Sequence, residues 1–306
     1  MDYGLIRAVL ASTAFVPIDE SEYLSIKEAR DGLFQCLFIE ENFDIVVENF
    51  LELETTLLES VARHMILRDQ DYRWFQVERG LFNRRLINLL TAGLTYENHV
   101  KQHFHNVFRH EGASAPDINA LFSQEYDGRL GYRAVKALRN FVQHRGFPVH
   151  AVTYHSERIE HPAGNKLRFA VSPFLHPNEL REDGGFKKAV LKELEVFGEK
   201  VDLKVLLRDY VEGLAAVHDD ISQYIGPKAK VWDAMLSEAT ERFQVQHPEE
   251  DSVIGLAAVV RDTDGCSIEQ VQIFSDFISY RKHLAKKNSS LKNVARRYST
   301  SEVVSA

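Results

Sequence analysis

A-L-R-N-F-V-Q-H-R-G-F-P, residues Ala137–Pro148, reads as the end of a helix and of a helical region. Tyr132, Val135, Leu138 and Val142 recur at steps of three and four, the period of one buried helical face, so Leu130–Arg145 is expected as an amphipathic helix. Gly146 and Pro148 then stop it, since glycine suits the C-terminal turn and proline cannot continue the backbone ladder. At about 100° per residue, Asn140 and His144 overlie each other and Arg139 overlies Gln143 on the adjacent strip. A guanidinium, an amide and an imidazole therefore crowd one edge of a helix end, beside the apolar stripe. The partial negative charge of such an end suits cationic groups. An arginine fork can hold a phosphate through two hydrogen bonds and an imidazole can give or take a proton, a combination suited to phosphoryl chemistry without a metal.

Upstream, helical periodicity continues. From Glu40 to about Leu67, Phe43, Val46, Val47, Phe50, Leu57, Val61 and Met65 mark a long helix with acidic groups in its first turns. Asp69-Gln70-Asp71 makes a short connection to a second helix, Tyr72 to Phe108, so the two should pack antiparallel. Arg109–Pro116 reads as a loop, and Asp117 as the cap of a short helix that Gly128 ends. Residues 40–148 thus form a bundle of about four helices, with residues 1–39 as an N-terminal helical flap.

The six residues Arg139-Asn140-Phe141-Val142-Gln143-His144 resemble the R-N-x-x-x-H signature of the HEPN superfamily, helical-bundle proteins of prokaryotic defence and toxin systems and of RNA-processing nucleases. The resemblance implies an up-and-down bundle that dimerises so that two copies of the motif face each other. In active members it implies metal-independent RNA cleavage with no cofactor. Arg139 would then bind and stabilise the scissile phosphate, His144 would transfer a proton as the ribose 2′-hydroxyl attacks, and Asn140 would position one of them. RNA, a second copy of the chain and an antitoxin or activator protein are the partners this implies. The alternative is a non-catalytic protein of the same fold that binds a nucleotide, an RNA or a protein.

After Pro148 the period changes to two. Val149–His155 and Leu167–Val171 alternate as strands around a turn at Pro162-Ala163-Gly164-Asn165, with His150, His155, His161 and His176 read as hairpin surface. Helices are expected at about Gly185–Gly198, at Asp202–Ile225 and, after a tight Gly226-Pro227 connection, to about Gln246. Leu203, Leu207, Tyr210, Leu214, Val217, Ile221 and Tyr224 make a narrow seam in the second of these, which suits pairing with the third or with another subunit, the tight connection favouring the third. Val253–Val260 reads as a buried strand, Asp264-Gly265 as a hairpin turn and Val271–Phe274 as a return strand. The whole is expected as a mainly α fold in which residues 149–275 are an α+β lobe whose hairpins share one sheet, and 276–306 a basic helix and tail.

The 306 residues, 44% hydrophobic and 27% charged, have a globular composition. Two cysteines give neither a disulfide framework nor a zinc pattern. His99 and His103 are spaced for zinc but lack companions, and His218-Asp219-Asp220 reads as helix surface, so no metal is expected. The apolar run Leu5–Val16 is too short and has the wrong flanks for a signal or membrane span, which points to the cytoplasm. A net charge of −8 argues against non-specific coating of nucleic acid. Between Arg281 and Arg297, however, there are seven Lys or Arg and no acid. Arg145, Lys282, Lys286, Lys287, Arg296 and Arg297 are therefore the candidate RNA contacts.

Overall fold

Asp19 accepts the backbone N–H of Glu22 on its side chain at 2.8 Å and so caps the first and longest helix, α1 (Glu20–Ile66). Tyr23, Ile26, Ala29, Leu33, Cys36, Ile39, Phe43, Val46, Phe50, Leu53 and Leu57 form its continuous buried stripe. Asp71 caps α2 (Tyr72–Val107) in the same way through the N–H of Trp74. Then follow α3 (Ile118–Gly128), α4 (Leu130–His144), α5 (Pro177–Asp183), α6 (Lys188–Glu195), α7 (Leu203–Gln246) and α8 (Ser275–Asn288). Among the described residues the strands are β1 (Asp2–Arg7), β2 (Phe15–Ile18), β3 (Ala151–Ile159), β4 (Lys166–Leu175), β5 (Val201–Asp202), β6 (Leu256–Arg261) and β7 (Ser267–Gln272). The fold is mainly α, with antiparallel hairpins and long helices in its second half.

This computed structural model describes residues 1–9, 12–67, 71–160, 164–250, 252–289 and 291–299. Arg68, the connection residues Asp69 and Gln70, His161, the turn residues Pro162 and Ala163, and the tail from Thr300 lie outside them. Among the described residues, no helix is long and apolar enough to cross a membrane.

The chain divides into two compact units, each assembled from separated stretches. The first takes the described residues of 1–42, 98–118 and 219–289. Its sheet is antiparallel in the order β2-β1-β6-β7, with Tyr3 opposite Val260 and Leu5 opposite Ala258. Leu256–Val260 are all buried, as expected of a central strand covered on both faces. Opposite β1, the ring of Phe15 occupies the place where any side chain at Gly4 would stand.

The second unit takes residues 43–97, 119–218 and the described residues from 291 onward. Its three-stranded sheet has the order β3-β4-β5. In it α4 lies close against α7. A Cβ at Gly131 would stand 2.4 Å from the carbonyl oxygen of Leu206, and the Gly131 N–H donates to Asp209 Oδ2 at 2.7 Å. That acceptor serves an N-terminus whose own cap residue, Arg129, makes no side-chain capping hydrogen bond. Gly131→Ala is expected to cost about 1–3 kcal/mol through overpacking, read as a lower urea midpoint at unchanged slope.

Four expectations are corrected. Within the expected helical flap, Asp2–Arg7 and Phe15–Ile18 are paired antiparallel strands, because β1 finds its central partner in β6, far along the chain. The helix expected from Glu40 begins at Glu20, and Glu40 itself is buried mid-helix. Gly226-Pro227 does not separate two helices; α7 runs through it. Gln223, Gly226 and Pro227 are exposed, so the carbonyl that proline leaves without a partner faces solvent, while Ile225, Ala229, Trp232, Leu236 and Phe243 continue the buried stripe. Finally, the hairpins do not join in one sheet.

Candidate functional site

α4 owes its position to Tyr132, Val135, Leu138 and Phe141, all buried. Phe141, one residue before the expected Val142, completes the inward stripe; Val142 is half-buried. Arg133 binds Glu193 of α6 with both fork nitrogens, Nε at 3.2 Å and Nη2 at 2.6 Å, which fixes the helix laterally. At the C-terminal end Arg139 is half-buried and Asn140, Gln143 and His144 are exposed. Arg139 Nη1 donates to Asn140 Oδ1 at 3.2 Å, so the amide steadies the guanidinium. His144 has no side-chain hydrogen bond or ion pair among the described residues, which leaves both ring nitrogens to solvent or ligand.

The helix ends as its sequence implies. The N–H groups of Arg145 and Gly146 both reach the Phe141 carbonyl, at 2.8 and 3.4 Å. The chain then enters the interior at Pro148 and Val149. There the side chain of Asn83 takes both backbone groups of Val149: Oδ1 accepts its N–H at 3.0 Å and Nδ2 donates to its carbonyl at 3.4 Å. Asn83 is itself buried. Asn83→Ala should therefore strand two buried backbone groups and cost about 1–3 kcal/mol, measurable as a lower melting temperature.

The hairpin β3–β4 starts directly after this clamp. Tyr154 of β3 donates its hydroxyl to Glu78 Oε2 at 3.0 Å, and the same oxygen accepts the hydroxyl of Ser60. Burial, with the Glu78 carboxylate beside it, pushes the Tyr154 phenol well above its ordinary value, so it stays a donor at neutral pH. His64 and Trp74 pack on the Tyr154 ring. His64, in the last turn of α1, is thus part of the anchor of the hairpin.

The basic candidates fall in different settings. Arg145 lies over Gly185 and stands 3.8 Å from Asp183 Oδ2. Lys282, Lys286 and Lys287 are on α8 in the first unit, where Lys282 Nζ pairs with Asp233 Oδ2 at 2.9 Å. Arg296 and Arg297 follow in the second unit at a 3-10 turn, Val294–Arg296, and Arg297 Nη2 donates to the Lys292 carbonyl. Arg281 of the same sequence run is buried against Asp233 at 2.8 Å, so it is internal rather than part of a basic face.

Among the other histidines, His218 and His150 depart from their reading as surface residues. His218 is buried, stacked on Phe43 with ring centroids 3.9 Å apart, and its Nδ1 lies 3.1 Å from the Tyr96 hydroxyl. His99 and His103 turn their Nδ1 atoms to the amide oxygens of Asn42 and Gln35, at 3.0 and 2.9 Å. His150 has only 7% of its side chain exposed, contrary to a hairpin-surface residue, and burial holds its imidazole below the ordinary value. The first unit also contains a cleft of about 470 Å³ lined by Arg30, Gln35, Phe38, Asn106, Arg109 and Trp232, which no sequence motif marks.

Compared with protein-family models, with curated proteins and with solved structures, the chain matches none.

Proposed function

We propose that this protein is a metal-independent endoribonuclease of the HEPN type, a cytoplasmic toxin or phage-defence effector that works as a homodimer. One observation carries the reading: the R-N-x-x-x-H motif ends a helix with Arg139 and His144 at its solvent-facing edge and with the Asn140 amide holding the Arg139 guanidinium. In the reaction a base takes the proton of the ribose 2′-hydroxyl, whose oxygen attacks the adjacent phosphorus. The P–O5′ bond breaks as an acid protonates the leaving oxygen, giving a 2′,3′-cyclic phosphate and a 5′-hydroxyl. His144 of one chain serves as base and His144 of its dimer mate as acid. Paired Arg139 forks stabilise the charge that builds on the phosphorane. Neither residue ligates a metal in this scheme, so EDTA in the assay should leave cleavage intact. Arg145, Lys282, Lys286, Lys287, Arg296 and Arg297 supply phosphate contacts, and an antitoxin or activator protein keeps the activity in check.

The test is incubation of purified protein with total RNA, and separately with DNA, in EDTA, followed by end-group mapping. Cyclic phosphate ends on RNA alone support the reading; DNA cleavage or dependence on a divalent ion would sink it. A non-catalytic binding protein is the second reading, and the cleft beside Arg30, Arg109 and Trp232 is what favours it. That reading expects no RNA cleavage and ligand binding lost on Arg109→Ala.

A further inference from the structure

The open end of the second-unit hairpin brings three potential metal ligands together. His150 precedes β3, and its N–H donates to the Phe174 carbonyl at 3.0 Å. His176 follows β4 directly, and Glu179 lies in the first turn of α5. With Ala151 paired to Phe174 in the hairpin register, the backbone fixes both histidines side by side. Their rings stand edge to face, with centroids 5.8 Å apart. Both turn Nδ1 toward one carboxylate. His176 Nδ1 is 2.9 Å from Glu179 Oε1 and His150 Nδ1 is 3.5 Å from Oε2.

We propose that His150, His176 and Glu179 form a binding site for one divalent ion of the zinc class. One donor atom from each residue lies within 4.8 Å of the others. A tetrahedral ion with bonds of about 2.0–2.1 Å needs ligand atoms roughly 3.3 Å apart, and the two Nδ1 atoms stand at comparable distances, 2.9 and 3.5 Å, from the two oxygens of the one Glu179 carboxylate.

Two features set the class of site. Three protein ligands leave a fourth position for water, and the Glu179 side chain, 55% exposed, keeps that side open. The ion must also compete with the His176 backbone N–H, 3.0 Å from His150 Nδ1, so the affinity should fall below that of closed four-ligand zinc sites. The Phe141 ring meets His150 edge to face, which ties the site to the end of α4. The proposal does not rest on the ribonuclease reading, because metal uptake is measured without RNA.

The experiment uses the full chain, stripped with chelator, dialysed and titrated with Zn²⁺ by calorimetry and with Co²⁺ by visible absorption. One equivalent should bind, with the ligand-field bands of four-coordinate Co²⁺. His176→Ala should abolish saturable uptake and Glu179→Gln should weaken it at least about tenfold. Both residues are solvent-accessible enough that far-UV circular dichroism should stay unchanged. No uptake by folded wild type would overturn the site. So would uptake surviving both substitutions, which would place the ion elsewhere, for example at His99 and His103.

Discussion

His144→Ala should lower RNA cleavage by about 10²–10⁴-fold, the usual worth of a general acid or base. The loss would be chemical, because His144 is exposed and makes no side-chain hydrogen bond or ion pair among the described residues. Surface substitutions of that kind stay within about 0.5 kcal/mol of wild-type stability. Arg139→Ala should cost about 10²–10³-fold, as expected for one donor to a developing oxyanion. Lysine at 139 should recover only part of this, since it keeps the charge but not the two-pronged fork. Asn140→Ala should cost less than either, because it removes the 3.2 Å hydrogen bond that steadies Arg139 and leaves the guanidinium in place. If one histidine acts as base and its mate as acid, the rate should fall on both sides of a pH maximum and mixed dimers with one His144→Ala chain should be nearly inactive. Undiminished cleavage by both alanine variants would assign the activity to something other than this motif.

Elements with local periodicity were legible in the sequence. α2, α4 and the β3–β4 hairpin each announce themselves through a buried stripe or an alternation, and Asp71, Gly146 and Pro148 mark ends by their backbone chemistry. The start of α1 had a readable signal, Asp19 three residues before Glu22, but the pair Glu40-Glu41 looked more like a first turn. Pro227 was misread because a local rule stops a helix at proline, whereas the buried stripe on both sides of it keeps α7 whole. Pairing at long range left no local trace: β1 contains Gly4, and β2 contains Pro17, yet both join a sheet around β6. At the candidate site the residue types were readable, and so was their place beside the stripe. The Asn83 clamp and the convergence of His150, His176 and Glu179 depend on hairpin register and on contacts between elements far apart in the chain. Histidine burial was likewise invisible, because His218 enters the core only through a stack on Phe43 and a hydroxyl from Tyr96.

Arg281→Ala should destabilise the protein by about 3–5 kcal/mol, as removal of one partner from a buried ion pair does. Arg281 Nη2 donates to Asp233 Oδ2 at 2.8 Å, and the two side chains are only 11% and 12% exposed. Without the guanidinium, Asp233 keeps only Lys282 on that oxygen among the described residues, and Lys282 is 59% exposed and screened by solvent. The pair is also imperfectly satisfied: Asp233 Oδ1 and Arg281 Nε are buried without hydrogen-bond partners among the described residues. Its desolvation is therefore incompletely repaid, and replacing both partners should cost far less than replacing one. Arg281→Met with Asp233→Leu should lie within about 1–2 kcal/mol of wild type, since an apolar pair of similar volume avoids the desolvation. Urea denaturation of the two single variants and the double variant gives the coupling directly. The same set separates two roles for the basic run. If Arg281 served as a phosphate contact, the double variant would fold normally and bind RNA with a reduced salt dependence. If it is a packing residue, the double variant should keep wild-type salt dependence, while Lys286→Ala and Lys287→Ala on the same helix should each reduce it.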